Sequence, residues 1–271
     1  DALFDVTGYL LADDPTHPTG GTFVAITPTR FLDTRAPLGL AGRFTSRVPR
    51  TFCITGCGPV PGDATAVTGN LTVTGQTSAG FLFLGPTRTS SPSSSTLNFP
   101  TGDVRANNVT VRLDADGNLS AVFMGATSSA STHVVFDITG YFVKGPWGAT
   151  FVPLDPARIL DTRNGTGLPG PFPNATPRAF ATAGHGGVPA TDSVAVTGNL
   201  TVVNQTAGGF AFIGPTASAT PSSSTLNIPL GDVRANGVDV GLGSDGTLSA
   251  VWVTAPASTA AMIFDVGGYF R

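Results

Sequence analysis

The stretch Phe136 to Phe142, FDITGYF, occurs three times in the chain: it returns as FDVTGYL from Phe4 to Leu10 and as FDVGGYF from Phe264 to Phe270. The copies are 132 and 128 residues apart. Phe136, Ile138 and Phe142 fall on one face of an extended chain, and Asp137, Thr139 and Tyr141 on the other. A period of two with one apolar face predicts a β-strand. The glycine in mid-strand marks a bulge or a close backbone approach.

Working outward, other segments keep nearly the same offset. FVAITPTRFLDTR at Phe23 matches FVPLDPARILDTR at Phe151, and AVTGNLTV at Ala66 returns unchanged at Ala195. GFLFLGPT, SSSTLNFP, GDVRAN and GNLSAVF, at Gly80, Ser93, Gly102 and Gly117, return at Gly209, Ser222, Gly231 and Gly246. The segments are four to eight residues long, β-branched or aromatic, and bounded by Gly, Pro, Asn or Ser. About eight or nine strands per repeat are expected, with no 3.6-residue period. The reading is all-β: two tandem β-sandwich or jelly-roll-like domains, preceded by the closing strand of a third repeat. A weaker echo within each repeat leaves a β-trefoil or β-prism as the alternative. Residues 1–21 are read as the preceding closing strand plus a polar linker, 22–143 as the first domain and 149–271 as the second. The first strand is expected to lie against repeat 1, and the chain to be a piece of something longer.

Composition agrees. Of 271 residues 41% are hydrophobic and only 11% charged, well under the usual charged share. Glu is absent and Lys144 is the one Lys, while Gly numbers 35 and Pro 22. A net charge of −3 offers no case for a nucleic-acid partner, and no apolar run is long enough for a membrane span.

The order LDTR, GNLTV, SSSTLN, RAN, DGNLS and FDITGYF resembles a β-rich tandem repeat of secreted and cell-wall-associated proteins of actinobacteria and related bacteria. The resemblance covers both repeats. It implies a secreted or cell-surface location and an accessory or surface role, with further repeats in the full-length chain. The CITGC loop departs from its pattern. Cys53 and Cys57 are the only cysteines, and their counterparts are Ala181 and His185. Absent together from repeat 2, and in an extracellular protein, they are read as a local disulfide. A metal pair would need further ligands, and a redox motif would favour CxxC.

The sparse charges recur: Arg30, Asp33, Arg35, Asp103, Arg105 and Asp137 return as Arg158, Asp161, Arg163, Asp232, Arg234 and Asp265. One reading is a polar pocket, in which Asp33, Arg35, Arg105, Asp161, Arg163 and Arg234 grip a ligand through the arginine forks. The other is internal Asp–Arg pairing that fixes strand ends, and it is preferred. Asn70, Asn98 and Asn107, with Asn199, Asn227 and Asn236, are read as satisfying turns and strand edges through local backbone bonds. LDADGNLS at Leu113 is read as a hairpin turn rather than a calcium loop, since it lacks the distal Glu.

Three unmatched histidines (His17, His133, His185) and no Glu give catalysis little support, so no enzyme, cofactor or metal is expected. Sugar stacking needs exposed aromatics; Trp252 aligns with Phe123 and reads as core, leaving Trp147 as the candidate. The function read from the sequence is a non-catalytic extracellular surface or adhesive segment. The alternative is a carbohydrate-binding accessory module. The partner in view is cell-wall polysaccharide or another surface protein.

Overall fold

The computed structural model describes residues 6–10 and 21–271 of the chain. They fold into strands, with no helix among the described residues. Two compact units are present: one takes the chain up to Val24 and Arg30–Gly148, the other Ala25–Thr29 and Ala149–Arg271.

The first unit is built from β1 (Gly21–Asp33), β2 (Phe44–Thr45), β3 (Arg50–Cys53), β4 (Ala64–Thr74), β5 (Gly80–Gly85), β6 (Leu97–Phe99), β7 (Arg105–Arg112), β8 (Asn118–Gly125) and β9 (Ser131–Lys144). One sheet runs β1-β9-β4-β7, with β2 also on β9, and the other runs β3-β8-β5-β6. The observed neighbours are antiparallel pairs. Leaving out the two-residue β2, the eight main strands change sheet at every step but β5 to β6, the order of a jelly roll.

The second unit repeats this with β10 (Phe151–Asp161), β11 (Phe172–Pro173), β12 (Arg178–Ala181), β13 (Ala195–Val203), β14 (Gly209–Gly214), β15 (Leu226–Ile228), β16 (Arg234–Gly241), β17 (Thr247–Val253) and β18 (Thr259–Phe270). Its sheets are β10-β18-β13-β16, with β11 on β18, and β12-β17-β14-β15. A single core joins Leu160, Leu200 and Phe264 of one sheet to Phe180, Ile213 and Trp252 of the other. Two sheets over one core make a β-sandwich, so the trefoil and prism alternatives give way. Trp252 is fully buried, as is Phe123 in the first unit. Burying each such side chain contributes about 1.5–3 kcal/mol.

The repeated FD-x-x-GY strand is β9 and β18, lying between the first strand of its unit and β4 or β13. Both copies carry a bulge, because Thr68 and Gly69 pair with Gly140 and Ile138, and Thr197 and Gly198 with Gly268 and Val266. Thr139 and Gly267 are the extra residues. One inserted residue shifts the side-chain alternation by one. Phe264, Val266 and then Tyr269 therefore enter the core. Phe270 instead packs its ring on Phe151 at 5.3 Å, as Phe142 does on Phe23 at 5.2 Å. The expected single face for Phe136, Ile138 and Phe142 holds only as far as the bulge. The glycine after it is required by a close approach: a Cβ on Gly140 or Gly268 would sit 2.3 or 2.4 Å from the ring of Phe23 or Phe151.

Val6 to Leu10, the described part of the first FD-x-x-GY copy, form no strand, and Val6, Tyr9 and Leu10 are exposed. The place such a strand would take in repeat 1, beside β1 and β4, is already held by β9. The rest of that expectation, residues 1–5 and the linker 11–20, lies outside the described residues.

Candidate functional site

The LDTR motif sits where β1 and β10 end. Leu32 and Leu160 point into the core. The Asp33 amide donates to Leu38 O at 3.0 Å, and the Asp161 amide to Thr166 O at 2.9 Å, so both chains turn back at once. Thr34 ties the turn to the closing strand: its amide donates to Val134 O at 3.1 Å, and its Oγ1 accepts from the Val134 amide at 3.1 Å. Thr162 does the same with Met262, at 3.1 and 3.0 Å.

The acidic and basic residues of the motif form a chain of charges. Arg35 donates from Nε and Nη2 to the two oxygens of Asp33, at 2.9 and 2.7 Å, and its amide donates to Oδ1 at 3.1 Å. Arg30 reaches Asp33 through Nη1 at 3.2 Å and Asp137 through Nε and Nη2 at 2.9 and 3.2 Å. In the second unit Arg163 embraces Asp161 with the same three bonds, at 3.1, 2.9 and 2.7 Å. Arg158 bridges Asp265 and Asp161 there. Each set holds two carboxylates and two guanidiniums. The acids lie deeper: the Asp33 and Asp137 side chains are 5% and 3% exposed, against 49% for Arg35.

Charge and burial act differently on these acids. The fork of Arg35 holds the Asp33 carboxyl at about 2, against burial, and Arg163 holds Asp161 at about 2 likewise. Burial pushes Asp137 up despite its bonds to Arg30. The Arg35 guanidinium is raised by Asp33. His133, whose Nδ1 lies 3.0 Å from Thr34 Oγ1, is lowered by burial and by Arg43 and Arg35.

The second recurring pair works on backbone. Arg105 and Arg234 bind Asp103 and Asp232 and donate from Nη1 to Asn98 O at 3.4 Å and Asn227 O at 2.9 Å. Asn107 and Asn236 donate to Thr96 O and Thr225 O at 2.9 and 2.7 Å. Gln76 donates to Pro100 O and Asp103 O, and Gln205 to Pro229 O and Asp232 O. These glutamines recur 129 residues apart, a signal in the sequence that the recurring charges overshadow. Arg50 and Arg178 were missed likewise. Each lies over a phenyl ring, Phe44 at 4.9 Å or Phe172 at 5.0 Å. Both donate to loop carbonyls, Ala41 and Gly42 in one unit and Pro169 and Gly170 in the other.

The remaining candidates are dispersed. Cys53 and Cys57 are bonded across the turn after β3. Asp114 Oδ1 accepts from the amides of Asp116 and Asn118 at 3.0 and 2.7 Å, the pattern of an Asx turn. Trp147 is 80% exposed after β9. Beside the LDTR turn of the second unit an open groove of about 580 Å³ is lined by Arg163, Asn164, Pro169, Pro171, Asn204 and Ala261, with their neighbours.

No protein-family model matches the chain, and no curated protein matches it. Among solved structures it is similar to the N-terminal CBM22-1–CBM22-2 tandem domain from Paenibacillus barcinonensis Xyn10C, with 11% identity, 85% of each chain covered and a TM-score of 0.23.

Proposed function

We propose that this chain is a non-catalytic, extracellular surface segment made of tandem jelly-roll units, of the secreted cell-wall-associated type that its repeat motifs resemble. The observation that carries this is where the recurring charges go. Asp33, Arg35, Asp161 and Arg163 pair within their own turns, and Arg105 and Arg234 pair with the adjacent aspartate and a backbone carbonyl. An acid held near 2 by a bidentate arginine is a poor general acid or base near neutrality. A disulfide in a chain with no other cysteine supports an oxidising compartment. The test replaces Arg35 by Gln and follows thermal unfolding beside retention on insoluble cell-wall polysaccharide. A scaffold role predicts a lower midpoint with retention unchanged; unchanged melting with lost retention would overturn it.

A second reading, a carbohydrate-binding accessory module, draws support from the groove of the second unit.

A further inference from the structure

The two units differ most tellingly beside the LDTR turn. In the first, Arg43 leans across and donates from Nη1 to Gly75 O at 2.5 Å. A Cβ on Gly75 would lie 3.3 Å from Arg43 Nη2 and 3.8 Å from the His133 ring, so these side chains fill the space. In the second unit the same three positions are Pro171, Asn204 and Ala261. All three line the open groove.

The groove is furnished differently from the rest of the surface. Arg163 spends Nε and Nη2 on Asp161, and its Nη1 donates to no protein oxygen among the described residues. Asn164 Oδ1 accepts from the amide and hydroxyl of Thr166 at 3.0 and 2.9 Å, which leaves its Nδ2 for another acceptor. Asn204, exposed and held at φ 54°, presents a second carboxamide. Pro169 and Pro171, both exposed, supply apolar surface.

We propose that this groove binds an acidic sugar unit, a uronate-type residue within a polysaccharide chain. The spare Arg163 N–H meets the carboxylate, the carboxamides of Asn164 and Asn204 meet hydroxyls, and the proline surface takes the C–H face of the ring. One guanidinium, already paired with Asp161, suits a single carboxylate better than a phosphate or a run of sulfates. A volume of about 580 Å³ falls within the usual range for small-ligand sites, and an open groove admits an internal unit of a chain. The scaffold reading does not depend on this one. It concerns the Asp–Arg pairing that the units share, whereas the groove opens through residues in which they differ and takes from that pairing only the Arg163 N–H that Asp161 leaves over.

The test titrates the intact chain with tetragalacturonate and with uncharged maltotetraose, followed by NMR shifts. Expected is saturable uronate binding with a Kd on the order of 1 mM, shifts at Arg163, Asn164 and Asn204, weakening with salt, and none with maltotetraose. Rebuilding the first unit's filling with Pro171→Arg, Asn204→Gly and Ala261→His should weaken binding at least about tenfold. Asn204→Gly alone, favoured at that positive φ, should keep the wild-type melting point and still weaken binding about threefold. No uronate binding at about 10 mM, equal binding of maltotetraose, or wild-type affinity in Asn204→Gly would each overturn the proposal.

Discussion

Arg30 is the residue on which the first unit's charge set turns, because it alone joins Asp33 to the deeply buried Asp137. Arg35 is half exposed, so its loss is softened by water. Replacing Arg30 by Met leaves Asp137 buried without its guanidinium and should cost about 3 kcal/mol at pH 8. That carboxyl is already pushed up by burial and rises further in the variant. The folded form then holds the proton more tightly than the unfolded one, so the variant should regain stability as pH falls toward 5. Urea unfolding at several pH values measures this; a loss that does not vary with pH would contradict it. Asp33 and Asp161 have the opposite sign. Their folded values of about 2 lie below the ordinary 3.8, so their contribution is full above 3.8 and lost as pH falls from there toward 2. Thermal melts of the wild type should drop through that window, and less so once Asp33→Asn removes one of the two groups. The Asp–Arg pairing was legible as recurrence in a charge-poor chain. Which acid is held low and which is pushed up was not, since that depends on the depth of the closing strand.

At the scale of turns and strands, repetition provides an internal control. The Cys53–Cys57 bridge spans a turn in which the Gly56 amide donates to Val60 O and the Ile54 and Thr55 amides to Gly117 O. The second unit makes the same bonds, Gly184 to Val188 O and Thr182 and Ala183 to Gly246 O, with no bridge. Reduction should therefore leave the fold unchanged and lower the first unit's stability by at most about 2 kcal/mol, the loop entropy of so short a closure. Circular dichroism and urea unfolding with and without reductant check this, and a lost sheet signal would contradict it. Strand existence could be read from period and punctuation. The phase of β9 and β18 could not, because the extra residues Thr139 and Gly267 are defined only by their pairing with β4 and β13. Gly140 and Gly268 signalled that something happens there without saying which side chain turns outward. The groove was not legible for the reverse reason: it lies at Pro171, Asn204 and Ala261, where the repeats depart from each other.

For the molecule as a whole, the sandwich followed from strand count, whereas the jelly-roll order follows only from long-range pairing. Each unit has the full order, from the strand that carries LDTR to the strand that closes the sheet beside it. In the second unit both sheets share one core, and Arg158, Arg163 and Arg234 pair with aspartates of the same unit. Solenoid repeats depend on their neighbours for a core, whereas the core residues of the second unit all lie between 152 and 269. The most direct test of this self-sufficiency is urea unfolding of residues 149–271 expressed alone. Single cooperative unfolding, coincident by tryptophan fluorescence from the buried Trp252 and by circular dichroism, is the predicted result. A fragment that lacks a cooperative transition, or shows Trp252 in water before denaturant is added, would contradict it.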